Sequence, residues 1–371
     1  MDSAYRAEHV GSLLRPQDLL AARFALFAGK VRPEDLKPLE DEAVLAAVKG
    51  QTESGMSIIT DGEMRRIVYL WPLFDSIEGY DFTRGVPLPW HGEPGEAVPQ
   101  DVLDLTAPVV TQRLRLARPR MVADEAAFLL AHAGEGQVKV TLPSPVHLAI
   151  AYDETTAQFY PTREDLLDHG AELLANEAAL LVQDGVHRIQ LDSPTWHEFL
   201  LDPWWRADWA AKGVDLGQLL DAAIAAENKV LDAARSAGAV TGVHICRGNA
   251  RGFRLADGDY APIAEQVFSR LRCDRLLLEY TAVAGGFEPL RFVPADKIAV
   301  LGLVSTQSAR LETREEILRR LDEAARFLPI GQLALSPQCG FASSFQGNPL
   351  SAERQWEKLG LVSSVAREVW N

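Results

Sequence analysis

Short apolar runs alternate along the chain with longer stretches whose apolar positions recur at helical spacing. The strand-like runs fall at 6–11 (RAEHVG), 56–60, 137–142, 187–191, 239–245, 275–280, 297–303 and 332–336. They are rich in Val, Ile and Leu and do not alternate strictly with polar residues, the pattern of strands buried on both faces. Helical spacing covers 33–54, 162–184, 215–237, 260–272, 312–328 and 350–370. The stretch 162–184 begins TREDLL, a Thr N-cap followed by acids in the first turn. Strand runs alternating with helices in this way predict an α/β fold, a (β/α)8 TIM barrel. An open doubly wound sheet is the alternative, but it would normally carry a Gly-rich phosphate turn after an early strand, and the sequence has none. Residues 71–120 are irregular and rich in Pro, Gly and Trp, which predicts an insertion over one end of the barrel with a hairpin near 102–117. No internal repeat or linker divides the chain, so residues 1–371 are expected to form a single domain.

Charge narrows the partners. The 371 residues carry 52 acidic and 37 basic side chains, a formal charge of -15. Nucleic acid and anionic membrane surfaces both call for a basic footprint, so neither is an expected partner. The three cysteines are too few and too odd in number for a disulfide scaffold. They predict a reducing, cytoplasmic setting in which any thiol role is as thiolate. The N-terminus MDSAYRAEHVGS has no basic segment leading into an apolar one, and no apolar run approaches the roughly 18 residues of a membrane span. A homo-oligomer stays open.

In a barrel the functional groups collect where strands end at their C-terminal side. Those positions carry His9 and Ser12, Asp61 and Glu63, Ser144, Asp192, His244 and Cys246, Glu279, Ser305 to Gln307, and Cys339. His244 and Cys246 stand two apart on an extended segment and therefore point to one side. With Glu279 and Cys339 they supply the imidazole, thiolate and carboxylate donors that zinc prefers. Their spread over three strand ends suits a catalytic zinc site better than a structural knuckle. Glu279 either fills the fourth position at rest or stands behind the ligands. Cys273, in LRCDR between a helix and a strand, is left with a bland role. A zinc ion held by two thiolates and an imidazole binds an incoming thiol and makes it give up its proton. That thiolate can attack a methyl group on a cationic nitrogen or an epoxide carbon.

The remaining strand-end groups read as a substrate cradle, each with a plainer alternative. Asp61 and Glu63 could bind an ammonium group or cap a following helix. His9-Val10-Gly11-Ser12 could offer backbone N–H groups and the Ser12 hydroxyl to a carboxylate, or be an ordinary turn. Asp192 could accept a substrate proton or N–H, or serve as a turn residue. Trp196, Trp204, Trp205 and Trp209 form an aromatic cluster that either walls a pocket or packs in the core or an interface.

Taken together, HVGSLLRP, TDGEMRR, IQLDSP, HICRGN, the Glu that ends RLLLE, LGLVSTQ and LSPQCGF resemble the catalytic barrel of cobalamin-independent methionine synthase. The resemblance runs over residues 5–370 in order and is nearest to short single-barrel members. It implies a zinc-dependent methyltransferase that methylates homocysteine or a similar small thiol, with methylfolate as donor in the full-length enzyme. It implies zinc ligands His244, Cys246, Glu279 and Cys339, and homocysteine held through Gly11-Ser12, Glu63 and Asp192. Glu63 and Asp192 would orient the thiol for reaction. His9, Asp61, Ser144 and Gln307 are carried along as substrate-binding positions. Two departures stand out. The chain has room for one barrel where the full-length enzyme has two. LGLVSTQSA also sets Ser305 and Gln307 where the synthases place an Asp and a His that serves as general acid, and Gln cannot donate a proton as an acid does. Alkyl transfer of the epoxide-to-coenzyme M kind, or methyl transfer from a non-folate donor such as methylcobalamin, is the alternative reading.

Overall fold

The strands that the apolar runs predict line up in chain order. In the computed structural model, which describes residues 5–92, 95–134, 136–194, 196, 202–280 and 285–370, β1 is short (Ile58–Ile59). An antiparallel pair follows outside the main sheet, β2 (Ile77–Pro87) and β3 (Thr106–Leu116). Then come β4 (Gln137–Pro143), β5 (Arg188–Asp192), β6 (Val240–Ile245), β7 (Arg275–Glu279), β8 (Ile298–Val304) and β9 (Leu333–Pro337). Among the described residues β1 and β4 to β9 form a seven-stranded, all-parallel sheet in sequence order. Its strands are buried on both faces, as their apolar composition requires.

The eighth stave is the segment 6–13, of which the apolar pattern identifies 6–11 as a strand. It makes little ladder of its own. Ala7 bridges Leu335 of β9, with Glu8 N–H on the Leu335 carbonyl at 3.1 Å and Leu335 N–H on the Arg6 carbonyl at 2.8 Å. On its other side Leu13 N–H reaches the Gly62 carbonyl at 3.0 Å, and the Thr60 hydroxyl reaches the Gly11 carbonyl at 2.8 Å. The sheet therefore curls into a TIM-barrel fold. Buried charge inside the barrel reinforces this closure. Glu8 takes Lys139 Nζ at 3.2 Å and Arg275 Nε at 2.6 Å, and Lys139 also binds Gln190 at 2.7 Å. The neighbouring cations outweigh burial and hold the Glu8 carboxyl down at about 2.

Helices pack outside. The helix Arg163–Gln183 starts at the predicted cap: the Thr162 hydroxyl accepts Asp165 N–H at 3.1 Å, and the Asp165 carboxylate accepts Thr162 N–H at 3.0 Å. Its buried stripe is Leu166, Leu167, Ala171, Leu174, Ala178 and Leu181. The predicted helix 260–272 shortens to Ala264–Arg270, and five further helices appear among the described residues at Gln17–Phe27, Trp71–Ser76, Gln100–Leu103, Ala123–His132 and Pro203–Ala211. No helix among the described residues is long and apolar enough to cross a membrane.

The region 71–120 needs one correction. Residues 102–117 do not fold on themselves: residues 106–116 pair instead with residues 77–87, Ile77 opposite Leu116 and Pro87 opposite Thr106. The long connection between the arms includes the short helix Gln100–Leu103. Local turn signals near 102 suggested a tight hairpin, whereas the pairing is set by apolar residues far apart in sequence. Val110 N–H on the Ala151 carbonyl at 2.8 Å and Leu114 N–H on the Tyr160 hydroxyl at 2.8 Å fasten β3 to the chain that follows β4.

Of the aromatic cluster, Trp196, Trp205 and Trp209 are buried core residues, and Trp204 is 46% exposed. Residues 197–201 lie outside the described residues.

Candidate metal centre and substrate pocket

Parallel register sets the candidate groups level with one another. Asp192 pairs with His244 across β5 and β6, and Pro143 pairs with Asp192 across β4 and β5. Cys246 lies one residue beyond the end of β6, and Cys339 two residues beyond β9. One donor atom each from His244, Cys246 and Cys339 falls within 4.8 Å of the others, and all three residues are buried. His244 turns Nδ1 to the Leu277 carbonyl at 3.2 Å, which leaves Nε2 as the inward nitrogen. That atom is buried with no hydrogen-bond partner among the described residues. An imidazole fixed by a carbonyl on one nitrogen and left open on the other is the arrangement of a metal-ligating histidine.

The sulfurs share charge unequally. The Cys246 thiol beside it, and then the His244 imidazole, hold the Cys339 thiol well below its ordinary value. Cys246 is pushed the other way, first by Cys339 and then by burial. A cation between them would take both as thiolates. Cys273 is buried in the apolar core, where burial pushes its thiol up to about 12.

Glu279 does not join this cluster. Its Oε2 accepts Arg247 backbone N–H at 3.1 Å, and burial, followed by the nearby Cys339, raises its carboxyl to about 7. It lines a separate polar cleft with Arg247, Arg254, Arg310, Arg319 and Arg320. Gln307 lines that same cleft, its N–H on the Ser305 hydroxyl at 3.2 Å.

A small pocket above the triad is lined by Ser12, Glu63 and Asp192, three of the residues the sequence nominates. Glu63 sits at φ +57 in the turn after β1, a left-handed conformation uncommon outside glycine. Asp61 Oδ1 stabilises it by accepting Glu63 N–H at 2.9 Å, and Arg15 Nη2 binds the Glu63 carbonyl at 2.7 Å. The Glu63 carboxylate then receives the Thr141 hydroxyl on Oε1 at 2.8 Å, and Oε2 is buried without a partner among the described residues. Asp192 takes Gln190 Nε2 at 2.7 Å, and burial, with the Glu63 charge next, lifts its carboxyl to about 7. Gly11 is required beneath them because a Cβ there would meet Thr141 Cγ2 at 2.7 Å.

Three nominated residues turn elsewhere. Asp61 braces the Glu63 turn and does not line the pocket; no helix starts there for it to cap. His9 is buried on Gln51 Oε1 at 2.8 Å, and burial lowers its imidazole to about 3. Ser144 caps the short turn Pro145–Ala149 and gives its hydroxyl to Glu227 at 2.6 Å. The sequence reading missed Tyr69, Asn249 and Ser343, which complete the pocket. Asn249 closes the HICRGN motif and Ser343 lies two residues past LSPQCGF, so both could have been found there, whereas Tyr69 lies in a stretch with no readable period.

The catalytic-domain profile of the cobalamin-independent synthases matches residues 105–354. The chain belongs to this family. The family is one of methyltransferases. An uncharacterised Bacillus subtilis protein, YxjH, is 36% identical over 372 residues, covering 99% of this chain and 95% of its own. The methionine synthase of Saccharolobus solfataricus is 25% identical over 335 residues, covering 89% of this chain and 86% of its own. Among solved structures, a Listeria monocytogenes protein put forward as a vitamin-B12-independent methionine synthase superposes with a TM-score of 0.74 at 25% identity, covering 99% of this chain and 98% of that one. The family resemblance read from the motifs is therefore correct.

Proposed function

We propose that the protein is a zinc-dependent methyltransferase acting on a small amino-acid thiol, homocysteine by analogy with the methionine synthase relative, and that residues 1–371 work as one catalytic domain. The observation that carries this is the convergence of His244 Nε2 and the Cys246 and Cys339 sulfurs at the foot of a pocket walled by Ser12, Glu63 and Asp192. The donor set fits zinc in kind, and His244 Nε2 is open to hold it. Zinc bound there would lower the pKa of an incoming thiol and keep it as a nucleophilic thiolate at neutral pH.

The chain's own groups do the rest. Glu63 Oε2 is placed to accept an ammonium group, and its companion oxygen is pinned by Thr141, so the acceptor side is fixed before substrate arrives. Asp192, held by Gln190, takes a second N–H of that ammonium. Ser12 meets the carboxylate end. Glu279 backs the cluster and orders the turn after β6 through Arg247 N–H.

Metal analysis of the protein, then titration of a cobalt-substituted sample with homocysteine, tests the reading. About one zinc per chain and a thiol-dependent change in the cobalt absorption bands are expected. Absence of bound zinc, or bands that no thiol perturbs, would overturn it.

A further inference from the structure

A second cavity opens beside the triad pocket and shares Tyr69, Gly248 and Asn249 with it as walls. Its volume is about 210 Å³. The antiparallel pair β2–β3 forms one side, and the lining is almost wholly apolar and unusually aromatic: Tyr69, Phe74, Tyr80, Trp90 and Phe345, with His147. Lysine, arginine and carboxylate side chains do not line it. Thr106, Asn249, Ser344 and Gln346 add polar groups to the apolar wall. Three lining residues, Tyr80, Trp90 and Ser344, carry a buried hydroxyl or Nε1 with no hydrogen-bond partner among the described residues. Buried donors of this kind are normally satisfied, so three on the lining residues of one cavity call for an acceptor oxygen on a ligand.

From this geometry we infer that the cavity receives the methyl donor, and that the donor is a methyl onium compound, a quaternary ammonium or tertiary sulfonium, carrying a carboxylate. The inference rests on the thiol methyltransferase reading above. Aromatic faces recognise onium groups through their quadrupoles, and a positive charge spread over methyl groups suits an apolar wall better than a compact ammonium does. The carboxylate answers the Tyr80 and Trp90 donors and makes the ligand neutral as a whole.

Chemistry points the same way. The thiol loses its proton to solvent on binding. Its sulfur then forms the new S–C bond, the C–N or C–S bond of the donor breaks, and the bonding pair leaves with the nitrogen or sulfur, which departs neutral. No proton need be supplied to the leaving group. The cavity has none to give: burial lowers His147 to about 4, so its ring is neutral at pH 7, and burial pushes the Tyr80 phenol up. Gln307, which the family resemblance sets at the acid position, lines the arginine cleft and not this cavity. A donor that leaves as an anionic or strongly basic amide would need that acid.

Calorimetry on the full-length protein, with and without zinc, tests the donor site apart from the reaction. The probes are glycine betaine, dimethylsulfonioacetate, tetramethylammonium and 3,3-dimethylbutanoate, the last being the uncharged-head isostere of betaine. Either onium carboxylate is expected to bind at least tenfold tighter than 3,3-dimethylbutanoate, and the tighter of the two identifies the onium class. Tyr80→Phe should weaken the onium carboxylates several-fold and leave tetramethylammonium unchanged. Trp90→Leu should weaken every onium probe. Equal or tighter binding of 3,3-dimethylbutanoate, or no binding of any onium probe, would overturn the inference. A parallel assay of homocysteine methylation by methyl iodide reads thiolate activation alone. Loss of that acceleration with onium binding intact would sink the methyltransferase reading, whereas its presence without onium binding would sink only the donor assignment.

Discussion

The Thr141 hydroxyl donates to Glu63 Oε1 at 2.8 Å and simultaneously accepts Arg66 Nη1 at 3.0 Å, so one side chain on β4 sets the aim of the pocket carboxylate. Thr141→Val keeps the shape and removes both bonds. A hydrogen bond to a charged group is worth about 1.5–3 kcal/mol. The variant should therefore raise the KM for the thiol acceptor about tenfold or more while zinc content stays at the wild-type level. Unchanged KM in steady-state assays would remove Thr141 from the pocket's design.

The metal donors should divide by position. Cys246→Ser and Cys339→Ser each remove a sulfur from a cluster whose three donor atoms lie within 4.8 Å, and should lose most bound zinc. Glu279 lies outside that cluster, on Arg247 N–H. Glu279→Gln should retain zinc at an affinity lowered about 10–100-fold, as for a supporting carboxylate. Competition with a chromogenic chelator measures all three. Zinc loss in the glutamine variant as complete as in the serine variants would make Glu279 an obligatory ligand.

Barrel closure depends on Glu8, because the segment 6–13 has so little ladder. Glu8→Gln leaves Lys139 and Arg275 buried without their counter-charge, and breaking such a pair costs about 3–5 kcal/mol. The sign with pH follows from a carboxyl held at about 2 against an ordinary 4.5. Its stabilisation is fully present above 4.5 and is lost as pH falls through 2. Urea midpoints at neutral pH and below pH 4 should show the variant's deficit shrinking in acid.

The barrel and the His244, Cys246 and Cys339 cluster were legible because each rests on a local signal. Buried parallel strands are apolar throughout, and His244, Cys246 and Cys339 sit where such strands end. Asp61, His9 and Ser144 sit at strand ends as well, yet their side chains turn to the backbone or the interior. Strand position fixes where a residue starts, not which neighbours compete for its polar atoms. The pairing of residues 77–87 with 106–116 was hidden because the arms are distant and the connection has turn residues of its own. Net charge is a whole-chain total and says nothing of local clustering, here five arginines with Glu312 and Glu316 at one cleft beside Glu279.

Glu227 is a buried carboxyl that no motif announced. It receives the Ser144 hydroxyl at 2.6 Å and Trp196 Nε1 at 3.2 Å beneath the pocket, and Ser193 also binds it. Burial outweighs these donors and raises its carboxyl to about 7. A carboxyl raised above its unfolded value stabilises fully below about 4.5 and loses that contribution as pH rises through 7, at about 1.4 kcal/mol per pH unit for one proton. Asp192, Glu279 and Glu125, also at about 7, add slopes of the same sign, while the lowered His9 and His147 oppose them. The difference between wild type and Glu227→Gln isolates one group, since the other terms are common to both. Stability measured by urea unfolding from pH 4.5 to 7 should fall less steeply in the variant, by about one proton's slope. At pH 7 the amide should equal or exceed wild type, because it removes a carboxylate that would have to ionise in the core. Parallel pH profiles would show that Glu227 is held ionised at all these pH values, with its donors outweighing burial.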